Sequence, residues 1–126
     1  MINLGDQISV LNLFPIADVT ASGNSTGVDL MNYSGEIGII LDCSAPVAGS
    51  SPTLDVKIQE SADNSSFSDV TSGEFSQVTS SASVQKLSLN KDQLKRYIRV
   101  VRTIGGTSSP QYLVSVKGVA LLRNPA

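Results

Sequence analysis

The stretch 53–70 constrains the fold of this chain more than any other. In its first half, Leu54, Val56 and Ile58 alternate with polar residues, which is the two-residue period of a strand with one buried face. A cluster of short polar residues follows, and such side chains hydrogen-bond their own backbone and favour a turn. Phe67 then opens a second strand. The stretch predicts an antiparallel hairpin with a charged outer face and no group arranged for catalysis.

The remaining apolar runs predict an all-β fold. Only 16% of the 126 residues are charged, β-branched residues dominate the apolar set, and Ser, Thr, Gly and Asn are abundant. This pattern favours a two-sheet antiparallel sandwich, jelly-roll-like, with about eight strands in one domain, 1–126. Residues 1–16 are predicted as an N-terminal arm or as the first strand, with the apolar segment 8–14 closed by Pro15.

Further segments carry specific predictions. The run 36–43 is apolar on both faces for much of its length, so a central strand covered on each side is expected. Asn90 is a good N-cap for one helical turn. A short strand is expected within 73–84. Two strands are predicted near the C-terminus, 97–104 and 112–122, separated by a Gly/Ser/Pro loop, 105–110.

The residue inventory argues against an enzyme. Histidine is absent, which removes the commonest general base and the favoured zinc ligand. Cys43 is the single cysteine and is expected to be a small buried thiol. Asp63 and Asp69 could form an acid/base pair, and Asp63 with its neighbours could bind calcium. Turn formation explains the same residues, so neither a metal nor a cofactor is predicted.

Charge and hydropathy restrict the partners. The net charge of −2 disfavours nucleic-acid binding. No secretory signal and no run of about 20 apolar residues are evident, so neither export nor a membrane span is expected.

A basic run near residue 100 contains the most unusual charged position. It holds five of the nine cations: Lys91, Lys95, Arg96, Arg99 and Arg102. In a strand, Arg102 shares a face with apolar residues, where burial demands a carboxylate partner or an interface. One interpretation is an arginine that snorkels at a strand end. The other is an ion pair across a subunit contact.

The N-terminal segment is the second candidate for a contact surface. Its apolar residues are Ile2, Leu4, Leu11 and Phe14. They are candidates for contact with a partner, together with Arg99 and Arg102. The alternative is that the same residues form the first strand of the core.

Several phrases of the sequence resemble a known family. They are SPTLDVKIQESADN at 51–64, FSDV at 67–70, LKRYIRV at 94–100 and GGTS at 105–108. They look like segments of the small capsid cement proteins of tailed bacteriophages, and the resemblance extends over about 27–122.

This resemblance implies a jelly-roll protein that decorates the outer capsid surface after synthesis in the host cytoplasm. It implies a homo-oligomer that bridges subunits of the major capsid protein, a homodimer in preference to a homotrimer. Nucleic acid and membrane are not expected partners. Two alternatives stay open: a structural protein of the phage tail or baseplate, and a discoidin-like carbohydrate-binding module, for which Tyr33, Tyr97 and Tyr112 are the aromatic candidates.

Overall fold

A computed structural model describes residues 8–122, and within them the fold is an antiparallel arrangement of eight strands. This confirms the all-β, jelly-roll-like sandwich. A short 3₁₀ turn, Lys91–Gln93, precedes the last strand. The strands are β1 Ile8–Val19, β2 Gly23–Asn24, β3 Val28–Asp29, β4 Tyr33–Cys43, β5 Ala48–Ser61, β6 Ser68–Glu74, β7 Ser83–Asn90 and β8 Tyr97–Leu122.

The strands form two sheets that share β8. Sheet I has the order β1–β8–β4–β7 and uses the second half of β8. Sheet II uses the first half of β8. On one side this half pairs with β2 and β3, and on the other side it pairs with β5, which pairs in turn with β6. Consequently β1 of sheet I and the β2–β3 segment of sheet II both lie on the same side of β8, at the edge of the sandwich.

The continuity of β8 corrects the prediction of a loop at 105–110. Gly106, Ser108 and Ser109 have positive φ angles of 114°, 59° and 54°, so the backbone twists sharply there. The segment nevertheless stays paired with β5, through Ser50 opposite Thr107. The glycine and serine pattern therefore marks the corner where β8 passes from one sheet to the other.

The core lies between the sheets and follows from strand alternation. In β5, the three apolar residues of the predicted hairpin are almost fully buried, at 0–2% exposure. In β4, Ile37, Ile39 and Leu41 are likewise buried, whereas Glu36 and Asp42 on the other face are exposed. Cover on both faces of β4 was therefore a wrong prediction, because small and half-exposed apolar residues on the outer face imitate a buried pattern.

The hairpin and the capped turn are confirmed. β5 and β6 pair antiparallel, with Glu60 opposite Ser68. The Asn90 side chain accepts a hydrogen bond from the backbone N–H of Asp92 at 3.0 Å, which caps the 3₁₀ turn.

Two strand boundaries differ from the predictions. β1 continues through Pro15 to Val19 because it is an edge strand with irregular pairing on either side of Phe14, and proline is tolerated at such positions. The strand predicted within 73–84 is wrong. β6 ends at Glu74, and Val78 forms only an isolated bridge to Leu54.

Candidate binding surface

The outer face of sheet I is the most apolar exposed surface of the described residues. Seven large hydrophobic side chains are exposed among the residues whose side chains the structure describes, and four of them lie on this face. They are Val10, Val84, Leu113 and Leu121. Val10, at 68% exposure, and Leu121, at 39%, lie on the neighbouring strands β1 and β8. Apolar side chains gathered on one face are typical of an interaction surface.

Strand register places a glycine within this face. Val10 pairs with Val119, and Val119 pairs with Gly38 of the central strand β4. A Cβ atom added at Gly38 would meet no heavy atom within 4 Å. A glycine in a strand interior often marks the close approach of another chain. We call the residues Ile8, Val10, Gly38, Val119 and Leu121 the apolar face.

The outer face of sheet II is polar by contrast. Lys57 and Asp69 form an ion pair at 3.0 Å across β5 and β6. At the opposite edge of sheet II, Arg96 binds Asp29 of β3 at 2.8 Å. The resulting hydrogen bonds lower the pKa values of both carboxyl groups: Arg96 is the main cause for Asp29, and Gln59 followed by Lys57 for Asp69. The outer face of sheet II thus carries ion pairs, whereas the outer face of sheet I combines exposed apolar side chains with charged ones such as Asp42 and Lys86.

Arg99 belongs to this polar face and is held there by neighbours from the hairpin. Its Nε and Nη2 atoms donate to Gln59 Oε1 at 3.0 and 2.7 Å. Its guanidinium carbon lies 4.1 Å from the centre of the Phe67 ring. The structure therefore gives Arg99 an intramolecular role and does not bring it together with Arg102.

A groove separates the two edges of the sandwich, and we call it the edge groove. It has a volume of about 470 Å³. Sheet I contributes the β1 segment 12–15, sheet II contributes the segment 24–28, and Arg102 completes the lining. Between β2 and β3 the second segment leaves regular pairing, and the N–H of Val100 donates to Ser25 Oγ at 2.8 Å. Smaller clefts of about 270 and 220 Å³ lie elsewhere.

The edge groove brings together two residues that the sequence separates by 88 positions, Phe14 and Arg102. The guanidinium carbon of Arg102 lies 4.8 Å from the centre of the Phe14 ring. Among the described residues, Arg102 has no carboxylate partner. Its Nε is the one buried side-chain nitrogen or oxygen atom there without a hydrogen bond. Within the described residues the guanidinium therefore packs against an aromatic ring and not against a carboxylate.

The other predicted contact residues fall in different places. Leu11 is 6% exposed and lies in the core, as the alternative of a first core strand predicts. Ile2 and Leu4 lie outside the described residues. The sequence missed Val10, Val119 and Leu121, because the apolar runs that contain them leave the inward and outward positions undecided until the register is known.

The polar turn after β5 is organised around one carboxylate. Asp63 Oδ1 accepts hydrogen bonds from the N–H groups of Ser65 and Ser66 at 2.9 and 3.0 Å, and from the buried Ser61 hydroxyl at 2.8 Å. These bonds, with that from Ser66 the largest contribution, lower the pKa of Asp63. The structure assigns Asp63 the turn-forming role, since its bonded carboxylate oxygen is fully engaged. Asp69 is bound instead to Lys57 and Gln59.

Reactive and metal-binding groups are sparse in the described part of the chain. No cluster of three or more His, Cys, Asp or Glu side chains suited to a metal ion occurs within residues 8–122. Cys43 is buried as expected, and burial, with a contribution from the Asp42 charge, raises the pKa of its thiol to about 11. Over the same residues, no helix has the length and hydropathy needed to cross a membrane.

Comparison with solved structures identifies proteins with the same fold. The SPBc2 prophage-derived protein YomS is 12% identical, and the match covers 90% of this chain and 92% of that chain with a TM-score of 0.55. A chain of infectious bursal disease virus, Gx strain, is 8% identical with a TM-score of 0.56, and the match covers 94% of this chain but 33% of the viral one. The corresponding chain of the Gt strain is 9% identical with a TM-score of 0.53, and the match covers 92% of this chain and 32% of the viral one. At these identities the likeness shows a shared fold, and no family model or curated protein sequence matches the chain.

Proposed function

We propose that this protein is a structural component of a phage virion that decorates the outer capsid surface and stabilises the shell by bridging subunits of the major capsid protein. The observation that carries the proposal is the group of neighbouring residues on the outer face of sheet I that we call the apolar face. The apolar face of sheet I is suited to a protein partner, and the charged face of sheet II is suited to solvent. The fold shared with a prophage-derived protein of similar length supports the same conclusion.

A decorating protein needs only modest affinity at each contact. Copies repeated over a symmetric shell multiply weak contacts by avidity, and closed oligomer symmetry prevents open-ended assembly. In this proposal the protein is a homodimer, with a homotrimer as the alternative, and sedimentation equilibrium of the full chain distinguishes the two.

The test is binding to purified expanded heads that lack the protein. We expect the wild type to co-sediment with the heads and to raise the temperature at which they open. Val10→Lys, which places a charge on the apolar face, should abolish both effects. Thr103→Lys is the matched control because Thr103 is exposed on the outer face of sheet II, opposite Asp55, and it should bind like the wild type.

The contrary outcomes are distinct. Equal binding of heads by Val10→Lys and Thr103→Lys would show that the apolar face does not contact the capsid. Failure of the wild type to bind heads, together with labelling of phage tails or binding to a glycan array, would replace capsid decoration by a tail or carbohydrate-binding role.

A further inference from the structure

The edge groove contains a cation whose charge is not balanced within the described residues. Arg102 is the one charged residue among the ten that line the groove. Its contact with Phe14 stabilises the guanidinium through the ring face but supplies no hydrogen-bond acceptor, and the Nε atom remains without one. A partly buried cation in this condition is costly unless a ligand completes it.

The surroundings leave space for the guanidinium in the groove. Gly23 pairs with Arg102, and a Cβ atom added at Gly23 would lie 2.9 Å from Arg102 Nη2. The absence of a side chain at Gly23 therefore makes room for the guanidinium beside the Phe14 ring. A guanidinium already seated beside the ring can meet a ligand without displacing another side chain at Gly23.

The rest of the lining indicates what kind of ligand fits. Asn24 and Thr26 are polar, and their side chains take part in none of the hydrogen bonds found within residues 8–122. Leu13, Pro15 and Val28 supply apolar walls. One fixed cation with amide and hydroxyl groups suits a single carboxylate, whereas a nucleic acid would require several cations. The lining by a segment of edge strand β1 and by the segment 24–28 favours a carboxylate on a peptide chain.

We propose that the edge groove binds an aspartate or glutamate side chain on an extended segment of the protein partner, with its carboxylate on Arg102. This inference rests on the proposed function for the identity of the partner, the capsid protein, but the binding chemistry can be measured without it. The groove supplies specificity for an acidic segment, and the apolar face supplies contact area.

The first test uses a blocked pentapeptide with a central glutamate and its counterpart with glutamine, titrated into the isotope-labelled full chain. We expect saturable amide shifts within 24–28 and at Phe14, with affinity about tenfold weaker for the glutamine peptide, since a charge-assisted pair is lost. Arg102→Gln should weaken the glutamate peptide by a similar factor. Lys86→Gln, which removes an exposed cation from the outer face of sheet I, should not.

Three results would overturn the inference. They are equal binding of the two peptides, shifts that map away from the groove, and acetate binding as tight as peptide binding, which would make this a small-anion site. The amide spectrum of each variant shows directly whether it is folded, so a loss of binding in Arg102→Gln can be separated from misfolding. Arg102→Lys is a second variant that keeps the positive charge.

Binding to expanded heads separates this inference from the proposed function. Heads that bind wild type and Arg102→Gln equally would refute the acidic segment while leaving capsid decoration intact. A chain that binds the glutamate peptide but not the heads would refute capsid decoration while leaving the groove chemistry intact.

Discussion

Arg99 and Phe67 form the closest cation–aromatic contact of the described residues, 4.1 Å from guanidinium carbon to ring centre. The contact joins the first half of β8 to the residue that follows the polar turn between β5 and β6. Gln59 accepts two hydrogen bonds from the same guanidinium. Arg99 therefore links the residue after the turn, Phe67, to Gln59 in the strand before the turn.

Replacing either member of this pair should loosen the turn. Cation–aromatic contacts at exposed sites contribute about 0.5–1 kcal/mol, so Phe67→Leu and Arg99→Met should be coupled by roughly that amount. Urea unfolding of the two single variants and the double variant measures the coupling. Additive effects, with no coupling free energy, would show that the ring and the guanidinium only happen to be neighbours.

Asp63 should be more important for stability than an exposed turn residue usually is. Asp63→Ala removes the acceptor for two backbone N–H groups and leaves the Ser61 hydroxyl, at 0% exposure, without its acceptor. The urea midpoint should fall clearly for Asp63→Ala and less for Asp63→Asn, which keeps an oxygen in place. Asp92→Ala is a control at another exposed turn carboxylate. A fall for Asp92→Ala as large as that for Asp63→Ala would contradict the prediction.

Acid should destabilise the protein through three carboxyl groups. The pKa values of Asp29, Asp63 and Asp69 are all lowered in the fold. A lowered folded-state pKa gives stability that is fully present above the unfolded-state pKa, about 3.9. That stability is lost as the pH falls through the lower folded-state value.

We therefore expect the midpoint of urea unfolding to be insensitive to these groups at neutral pH and to fall in the acid range. Replacing all three by asparagine should flatten the acid limb of the curve. An unchanged acid limb in the triple variant would show that other groups cause the acid sensitivity.

Gly106 should be the most sensitive glycine of the corner in β8. It has a φ of 114°, and an added Cβ would lie 2.9 Å from Pro52 Cα, a backbone atom that cannot easily move. Gly106→Ala should cost about 1–3 kcal/mol from backbone strain, with steric cost added. Gly38→Ala is the matched control, because its Cβ meets open space, and its thermal midpoint should stay near that of wild type. Equal shifts in the thermal midpoints of Gly106→Ala and Gly38→Ala would contradict the backbone strain expected in Gly106→Ala.

The sequence predicts the interior of the fold better than its corners. Strict alternation at Leu54, Val56 and Ile58 identifies the buried side of β5 because a two-residue period has a single structural explanation. The Asn90 cap is a local interaction and is equally visible. The run 36–43 is different. Gly38 and Ile40 lie on its outer face, and without the strand pairing an apolar outer face cannot be distinguished in the sequence from a buried one.

Features of the candidate site that depend on distant residues could not be predicted. Arg102 was identified as an anomaly from its position on an apolar face, yet only the fold places Phe14 beside it and Gly23 behind it. The exposure of Val10 depends on the register between β1 and β8. A register cannot be read from one strand alone, because a shift of one residue exchanges the two faces.

The passage of β8 through both sheets has a mechanical consequence. A load applied to sheet I reaches sheet II along a covalent backbone, as well as through side-chain packing between the layers. One 26-residue strand joins the two layers, with its first half in sheet II and its second half in sheet I. Under tension, such a molecule should unfold in a single step.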